Sequence, residues 1–148
     1  MGSNLANGGN PLGCAAGQSP NAASVDPQII ASVERSLTGS GSEITLANVT
    51  EIRIFQATAS GGETAGMVNV WTYNLNGGPT IDGDPLDFSL SGSVGWQACS
   101  RTNIIPADSV GVTVKYRYVP KTPLRYFLPA VATWSLTDTT VMVLNATQ

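Results

Sequence analysis

The most regular alternation of apolar and polar positions lies between residues 109 and 118. Five apolar side chains occupy every second position there: Val110, Val112, Val114, Tyr116 and Tyr118. Small or polar residues fill the positions between them: Gly111, Thr113, Lys115 and Arg117. A period of two is typical of a strand with one buried and one exposed face. We therefore predict a strand here, with its valines toward a core.

Three other segments also favour strands. Residues 49–57 place Ile52 and Ile54 on one face, opposite Glu51 and Arg53. Phe55 falls on this second, polar face, so we expect that face to be partly covered. Residues 67–75 carry apolar side chains on both faces, which is typical of an interior strand, and residues 136–144 are predicted to form the final strand.

One helix is predicted before these strands. Asp26 is a suitable N-cap, Pro27 suits the first helical position, and Gly39 can end the helix. One apolar stripe runs along it: Ile29, Ile30, Val33 and Leu37. A helix of this length is not stable alone, so we expect it to pack on the sheet.

The order helix, strand, strand, long loop, strand, strand predicts an α+β fold. At 148 residues the chain suits a single domain. We assign residues 25–148 to one domain, in which the N-terminal helix packs on an antiparallel sheet of four or more strands. Residues 1–24 are predicted to be an N-terminal arm, and residues 1–3 are typical of the start added to a recombinant protein.

Composition and charge exclude several classes of protein. Apolar residues make up 42% of the chain and charged ones 11%, which is unlike a disordered segment. The seven lysines and arginines are scattered and the net charge is −3, which argues against a nucleic-acid partner. Within residues 1–148 we identify no apolar run long enough to cross a bilayer and no pattern typical of a signal peptide.

The chain contains no histidine, so it lacks the usual general base and the commonest transition-metal ligand. Lys115 lies on the polar side of a predicted strand and Lys121 in a predicted turn, where both are expected to be solvated. We therefore predict no enzymatic activity, no catalytic residue and no cofactor.

Three acidic residues lie around one glycine in the segment 81–87: Asp82, Asp84 and Asp87. Alternating carboxylates can bind Ca²⁺, although Pro85 interrupts the segment and no bidentate Glu follows at EF-hand spacing. Asp-Gly also favours tight turns. We favour the turn and retain calcium binding as the alternative.

Aromatic residues suggest two kinds of contact. Trp71, Trp96 and Trp134 could form a platform for sugars. We favour instead a role in the core or as cover for a disulfide, because Trp71 lies within an apolar strand and Trp96 lies close to Cys99. Between two prolines, the segment 124–129 holds four large apolar residues: Leu124, Tyr126, Phe127 and Leu128. This segment is either tucked beneath the sheet or a candidate contact with a partner.

The C-terminal third resembles the TadE-like family of pseudopilin-type proteins from tight-adherence pilus systems. The resemblance rests on the valine-rich strand ending in aromatics, on Thr122-Pro123-Leu124, and on Met142-Val143-Leu144, and it is clearest over residues 108–144. A weaker similarity covers the predicted helix and the segment 51–55. Residues 76–101 match nothing in the family, and the basic residue that often follows the methionine is absent.

The resemblance implies a structural, extracytoplasmic domain anchored in the membrane by an N-terminal transmembrane helix that is missing here. Its implied partners are other pilus or envelope proteins, including further copies of the chain, contacted through exposed strand edges. Export would favour a disulfide between Cys14 and Cys99, the two cysteines of the chain; in a reducing compartment they would be two thiols. Two other functions remain open: an extracellular module for carbohydrate or calcium-dependent adhesion, and a viral capsid or appendage subunit.

Overall fold

The computed structural model describes residues 25–42, 44–102, 106–118 and 134–144. Within these ranges the chain forms one α-helix and seven strands: α1 Val25–Thr38, β1 Val49–Ala57, β2 Glu63–Tyr73, β3 Thr80–Ile81, β4 Asp84–Pro85, β5 Phe88–Leu90, β6 Ser109–Tyr118 and β7 Trp134–Val143. Five of the strands form one antiparallel sheet in the order β5-β2-β1-β6-β7, and β3 pairs with β4. This arrangement confirms the predicted α+β class, a single domain with one helix preceding an antiparallel sheet.

The core lies on the face of the sheet that the alternating pattern marked as apolar. Ile52 of β1 is opposite Trp71 of β2 and Val114 of β6, because antiparallel partners point to the same face. The helix adds Ile29 and Ile30, which are buried in the same apolar cluster. The predicted inward faces of the helix, β1 and β6 are therefore confirmed.

Phe55 is buried on the opposite face of the sheet, where the sequence predicted a partly covered polar surface. It is opposite Gly111 of β6, and a Cβ atom at Gly111 would lie 2.2 Å from Cζ of the Phe55 ring. The ring therefore occupies the space above the glycine backbone. The alternation itself is undisturbed, since Arg53 and Glu51 lie on the same face as Phe55.

Three element starts differ from the prediction. The last strand, β7, begins at Trp134 and not at residue 136. The helix begins at Val25, so Asp26 lies inside its first turn and is not the N-cap, and its carboxylate contacts other elements. Strand β2 begins at Glu63 and not at residue 67, because Thr58 and Gly62 close a tight turn with a backbone hydrogen bond of 2.8 Å.

Residues 86–106 show no regular apolar period in the sequence and fall in the predicted long loop, yet the described part of this segment supplies a substantial part of the core. Leu86, Phe88 and Trp96 are buried in it. Before it, β3 and β4 form a hairpin whose turn residues Asp82 and Gly83 have φ values of 54° and 91°. Positive φ at both central residues is the signature of a type I′ hairpin. Among the residues described, no helix is both long and apolar enough to cross a membrane.

Candidate functional site

The densest buried polar cluster in the described residues joins the start of α1 to β2 and to the loop after β5. We name Asp26, Asn69, Trp96 and Arg101 the buried polar cluster. The side chain of Arg101 is completely shielded from solvent, and Asn69 is 1% exposed. Full burial of an arginine is rare unless it is paired with an acid.

Each member of this cluster is held by a named contact. Nη1 of Arg101 lies 2.6 Å from Oδ1 of Asp26, and Nδ2 of Asn69 donates to Oδ2 of Asp26 at 2.6 Å. The backbone N–H groups of Gly95 and Trp96 both donate to Oδ1 of Asn69 at 2.9 Å. The Arg101 guanidinium also stacks 4.3 Å from the centre of the Trp96 ring.

These contacts turn the polar groups toward one another and away from solvent. Asn69 and Arg101 both donate to the carbonyl oxygen of Trp96, which fixes the loop against β2. The arrangement connects three elements that are distant in sequence. Its chemistry is that of a structural clamp, since Arg101 and Asn69 have no face open to a ligand.

A second charged cluster lies on the opposite, outer face of the sheet. Arg53 binds Glu63 through two hydrogen bonds, of 2.6 Å from Nε and 2.8 Å from Nη2, and Glu51 lies between Arg53 and Lys115. The hydrogen bond from Lys115 lowers the pKa of Glu51, and the hydrogen bond from Arg53 lowers the pKa of Glu63. The contact with Glu63 raises the pKa of Arg53 in turn.

A groove of about 240 Å³ lies between α1 and the β3–β4 hairpin. Glu34 lines it, and its Oε1 accepts a hydrogen bond of 2.8 Å from the backbone N–H of Asp87. Burial raises the pKa of Glu34, more than the hydrogen bond from Asp87 lowers it. Arg35 and Asp82 form an exposed ion pair of 3.3 Å across one side of the groove.

The acidic segment around Gly83 forms the turn that the sequence favoured. Asp82 pairs with Arg35, Asp84 is exposed on β4, and Oδ1 of Asp87 accepts the backbone N–H of Asn76 at 2.9 Å. Across the residues that the structure describes, no three His, Cys, Asp or Glu side chains come together in a way that could hold a metal ion. The structure therefore does not bring Asp82, Asp84 and Asp87 together as the calcium alternative would require.

The tryptophans do not share one surface. Trp71 is 4% exposed, which confirms its predicted core role, and Trp96 is 3% exposed and lies in the same core cluster. The core role is wrong for Trp134, which is 50% exposed because it lies at the start of the edge strand β7, with its ring centre 6.4 Å from that of Tyr118.

Several predicted residues lie outside the described ranges. These are Cys14, Lys121, Leu124, Tyr126, Phe127 and Leu128, together with the N-terminal arm. Cys99 is described and lies in a short 3₁₀ helix, Ala98–Ser100, directly before Arg101. Its pairing with Cys14 stays a prediction, as does the partner contact at 124–129.

Sequence reasoning did not identify the buried polar cluster. Arg101 and Asn69 are 32 positions apart in sequence, and Arg101 lies in a segment with no clear period. One signal could have suggested it. Arg101 is an isolated cation close to Trp96 in a chain with few charges, and a buried cation requires an acidic partner. The partner acid could not have been chosen without the fold.

The exposed edge of the sheet is the other prominent surface. All ten residues of β7 are exposed, although the strand pairs with β6 along its whole length. Its exposed apolar side chains include Trp134, Leu136, Val141, Met142 and Val143.

Comparison with known proteins returned no matching family model, no matching curated protein and no matching solved structure.

Proposed function

We propose that this chain is a non-enzymatic structural subunit: the extracytoplasmic domain of a TadE-like minor pseudopilin or pilus-assembly protein. Its partners are other pilus or envelope proteins, and the full-length protein is held in the membrane by an N-terminal helix. The observation that carries the proposal is the ten-residue exposed edge formed by β7. A long exposed edge strand is a template for pairing with another chain.

The polar clusters support a structural role. In both clusters most charged groups are engaged with each other: Asp26 with Arg101 inside the domain, and Glu51, Glu63, Arg53 and Lys115 on the outer face. Such arrangements hold elements together and leave few groups to act on a substrate. The strand that ends the resemblance to the TadE-like family, β7, is also the strand that presents the edge.

Deletion of the gene in its native host tests the proposal. We expect loss of surface fibres, restored by the wild-type gene, and recovery of the protein in the envelope fraction on cell fractionation. A cytoplasmic location, or normal fibres after deletion, would contradict it. Complementation with a Thr80→Lys variant is the control and should also restore the fibres, because Thr80 is exposed and lies in the two-stranded sheet, which does not contain β7.

A further inference from the structure

We propose that the β7 edge is a docking site for β7 of a second copy of this chain, paired antiparallel about a twofold axis at Thr139. The inference deepens the proposed function, and it rests on that function for its biological meaning. The pairing would join two five-stranded sheets into one continuous sheet.

The first step is the direction of the main-chain groups of β7. The N–H of Leu144 donates to the carbonyl of Asp108 at 2.9 Å, so the residue directly after β7 turns its amide toward the β6 side. The register between β6 and β7 is regular from Ser109↔Val143 to Tyr118↔Trp134. Because amide direction alternates along a strand, the odd-numbered residues of β7 direct their N–H and C=O groups away from β6. These residues are Ser135, Thr137, Thr139, Val141 and Val143.

The second step is that β7 carries only one of the features that protect edge strands, the charge of Asp138 on the face that carries α1. Such strands commonly carry lysine, proline or a bulge. Strand β7 has one charged residue, Asp138, and contains neither proline nor glycine. At the other end of the sheet, β5 has three residues, so its edge is short.

The third step is that the β7 edge is complementary to itself. This property favours a second copy of the chain over a partner of different sequence. With Thr139 opposite itself, all outward-directed residues meet outward-directed residues, giving about ten main-chain hydrogen bonds. Leu136 then lies opposite Met142, and Asp138 lies opposite Thr140. Both pairs are on the face of the sheet that carries α1.

Neighbouring registers are less favourable. A shift of the axis to Asp138 places the two carboxylates opposite each other, where like charges destabilise pairing. A shift to Thr140 places Asp138 opposite Met142. The register centred on Thr139 is the one among these three that leaves Asp138 opposite a hydroxyl group.

Charge substitutions at Thr140 test the pairing by sedimentation equilibrium. We expect Thr140→Lys to tighten the dimer about fivefold, since the new ammonium would face Asp138 of the other copy at two symmetric places. Thr140→Asp should weaken it by a similar factor. Thr80→Lys and Thr80→Asp are the matched controls and should leave dimerisation unchanged. A wild-type chain that stays monomeric at every concentration would overturn the proposal.

Introduced thiols test the register. In a Thr139→Cys variant the two substituted positions face each other at about 5.5 Å between Cα atoms, a separation that a disulfide can span. We expect it to form a linked dimer about tenfold faster than a Thr137→Cys variant, whose substituted positions do not face each other. Wild-type protein controls for the native cysteines. If a disulfide-linked dimer forms mainly when the two variants are mixed, residue 137 of one copy faces residue 139 of the other. That result would place the axis at Asp138 and overturn the assigned register.

Hydrogen exchange at low protein concentration tests whether the edge is free in the monomer. The amides of Thr137, Thr139 and Val141 should exchange rapidly, and the alternate amides bonded to β6 should be protected. Slow exchange of the first set in the monomer would mean that the edge is already occupied, which overturns the proposal. If the edge pairing fails these tests but gene deletion still abolishes the fibres, the proposed function stands and the pairing does not. If the chain dimerises but gene deletion leaves the fibres normal, the pairing stands and the proposed function does not.

Discussion

At the scale of single residues, the guanidinium charge of Arg101 is buried, with the residue 1% exposed, and the carboxylate of Asp26 balances this charge. We expect Arg101→Met to destabilise the domain by about 3–5 kcal/mol, because it leaves the Asp26 carboxylate buried without its cation. Urea unfolding followed by tryptophan fluorescence measures this loss. Arg35→Met removes the cation of an exposed pair and should cost at most about 1 kcal/mol.

A double variant separates the contribution of the Asp26–Arg101 ion pair to stability from the contribution of Arg101 packing. Asp26→Ala combined with Arg101→Met should be less destabilised than the sum of the single variants, because neither buried charge remains. Strictly additive losses would show that the ion pair contributes nothing beyond the packing of each side chain.

Gly111 is required because its lack of a side chain leaves room for the ring of Phe55. Gly111→Ala would place a Cβ 2.2 Å from the Phe55 ring, and the ring would have to move. We expect a loss of about 1–3 kcal/mol in the free energy of unfolding. Gly39→Ala is the matched control, since its Cβ would meet nothing closer than 3.5 Å. A Phe55→Leu change should recover part of the loss, and equal effects of both glycine substitutions would contradict the steric argument.

At the scale of elements, the outer ion pairs tie β1 to β2 and to β6, and their contribution depends on pH. The pKa of Glu63 is lowered from 4.5, so its contribution is fully present above pH 4.5 and is lost as the pH falls through the lowered value. Glu63→Gln should therefore cost about 0.5–1 kcal/mol at pH 7 and progressively less below pH 4.5. Urea midpoints measured at several pH values give this difference.

Glu34 is the control for this prediction, because its pKa is shifted in the opposite direction to that of Glu63. Its pKa is raised from 4.5, so its favourable contribution is present below pH 4.5 and is lost as the pH rises through the raised value. Glu34→Gln should match wild type at low pH and be the more stable of the two at pH 7. The same trend in both variants would contradict the assigned directions.

At the scale of the whole molecule, the predicted Cys14–Cys99 disulfide would join the N-terminal arm to the loop that holds Arg101. Closing so long a loop would stabilise the fold by roughly 4–5 kcal/mol in the chain-entropy model. We expect a reductant to lower the melting temperature of the wild type and to leave that of Cys99→Ser unchanged. Peptide mapping by mass spectrometry of natively purified protein should find the linked pair, and two thiols would refute it.

Local patterns predicted the helix, β1 and β6, together with the inward face of each of these three elements. These features depend on side-chain period and on turn residues, both of which are properties of neighbouring positions. The same patterns missed β5 and the core residues of the segment 86–106. A strand of three residues is too short to show a period, and Leu86, Phe88 and Trp96 are buried because of what lies beside them.

The chain's own residues are enough to determine which side of β1 and of β6 is apolar, that a helix precedes the sheet, and that histidine chemistry is absent. Only the folded arrangement decided that β7 lies at an edge, that Phe55 covers Gly111, and that Asp26 is the partner of Arg101. The physical reason is range: periodicity assigns a side chain to a face, whereas strand order and buried charge pairing depend on contacts between residues far apart in sequence.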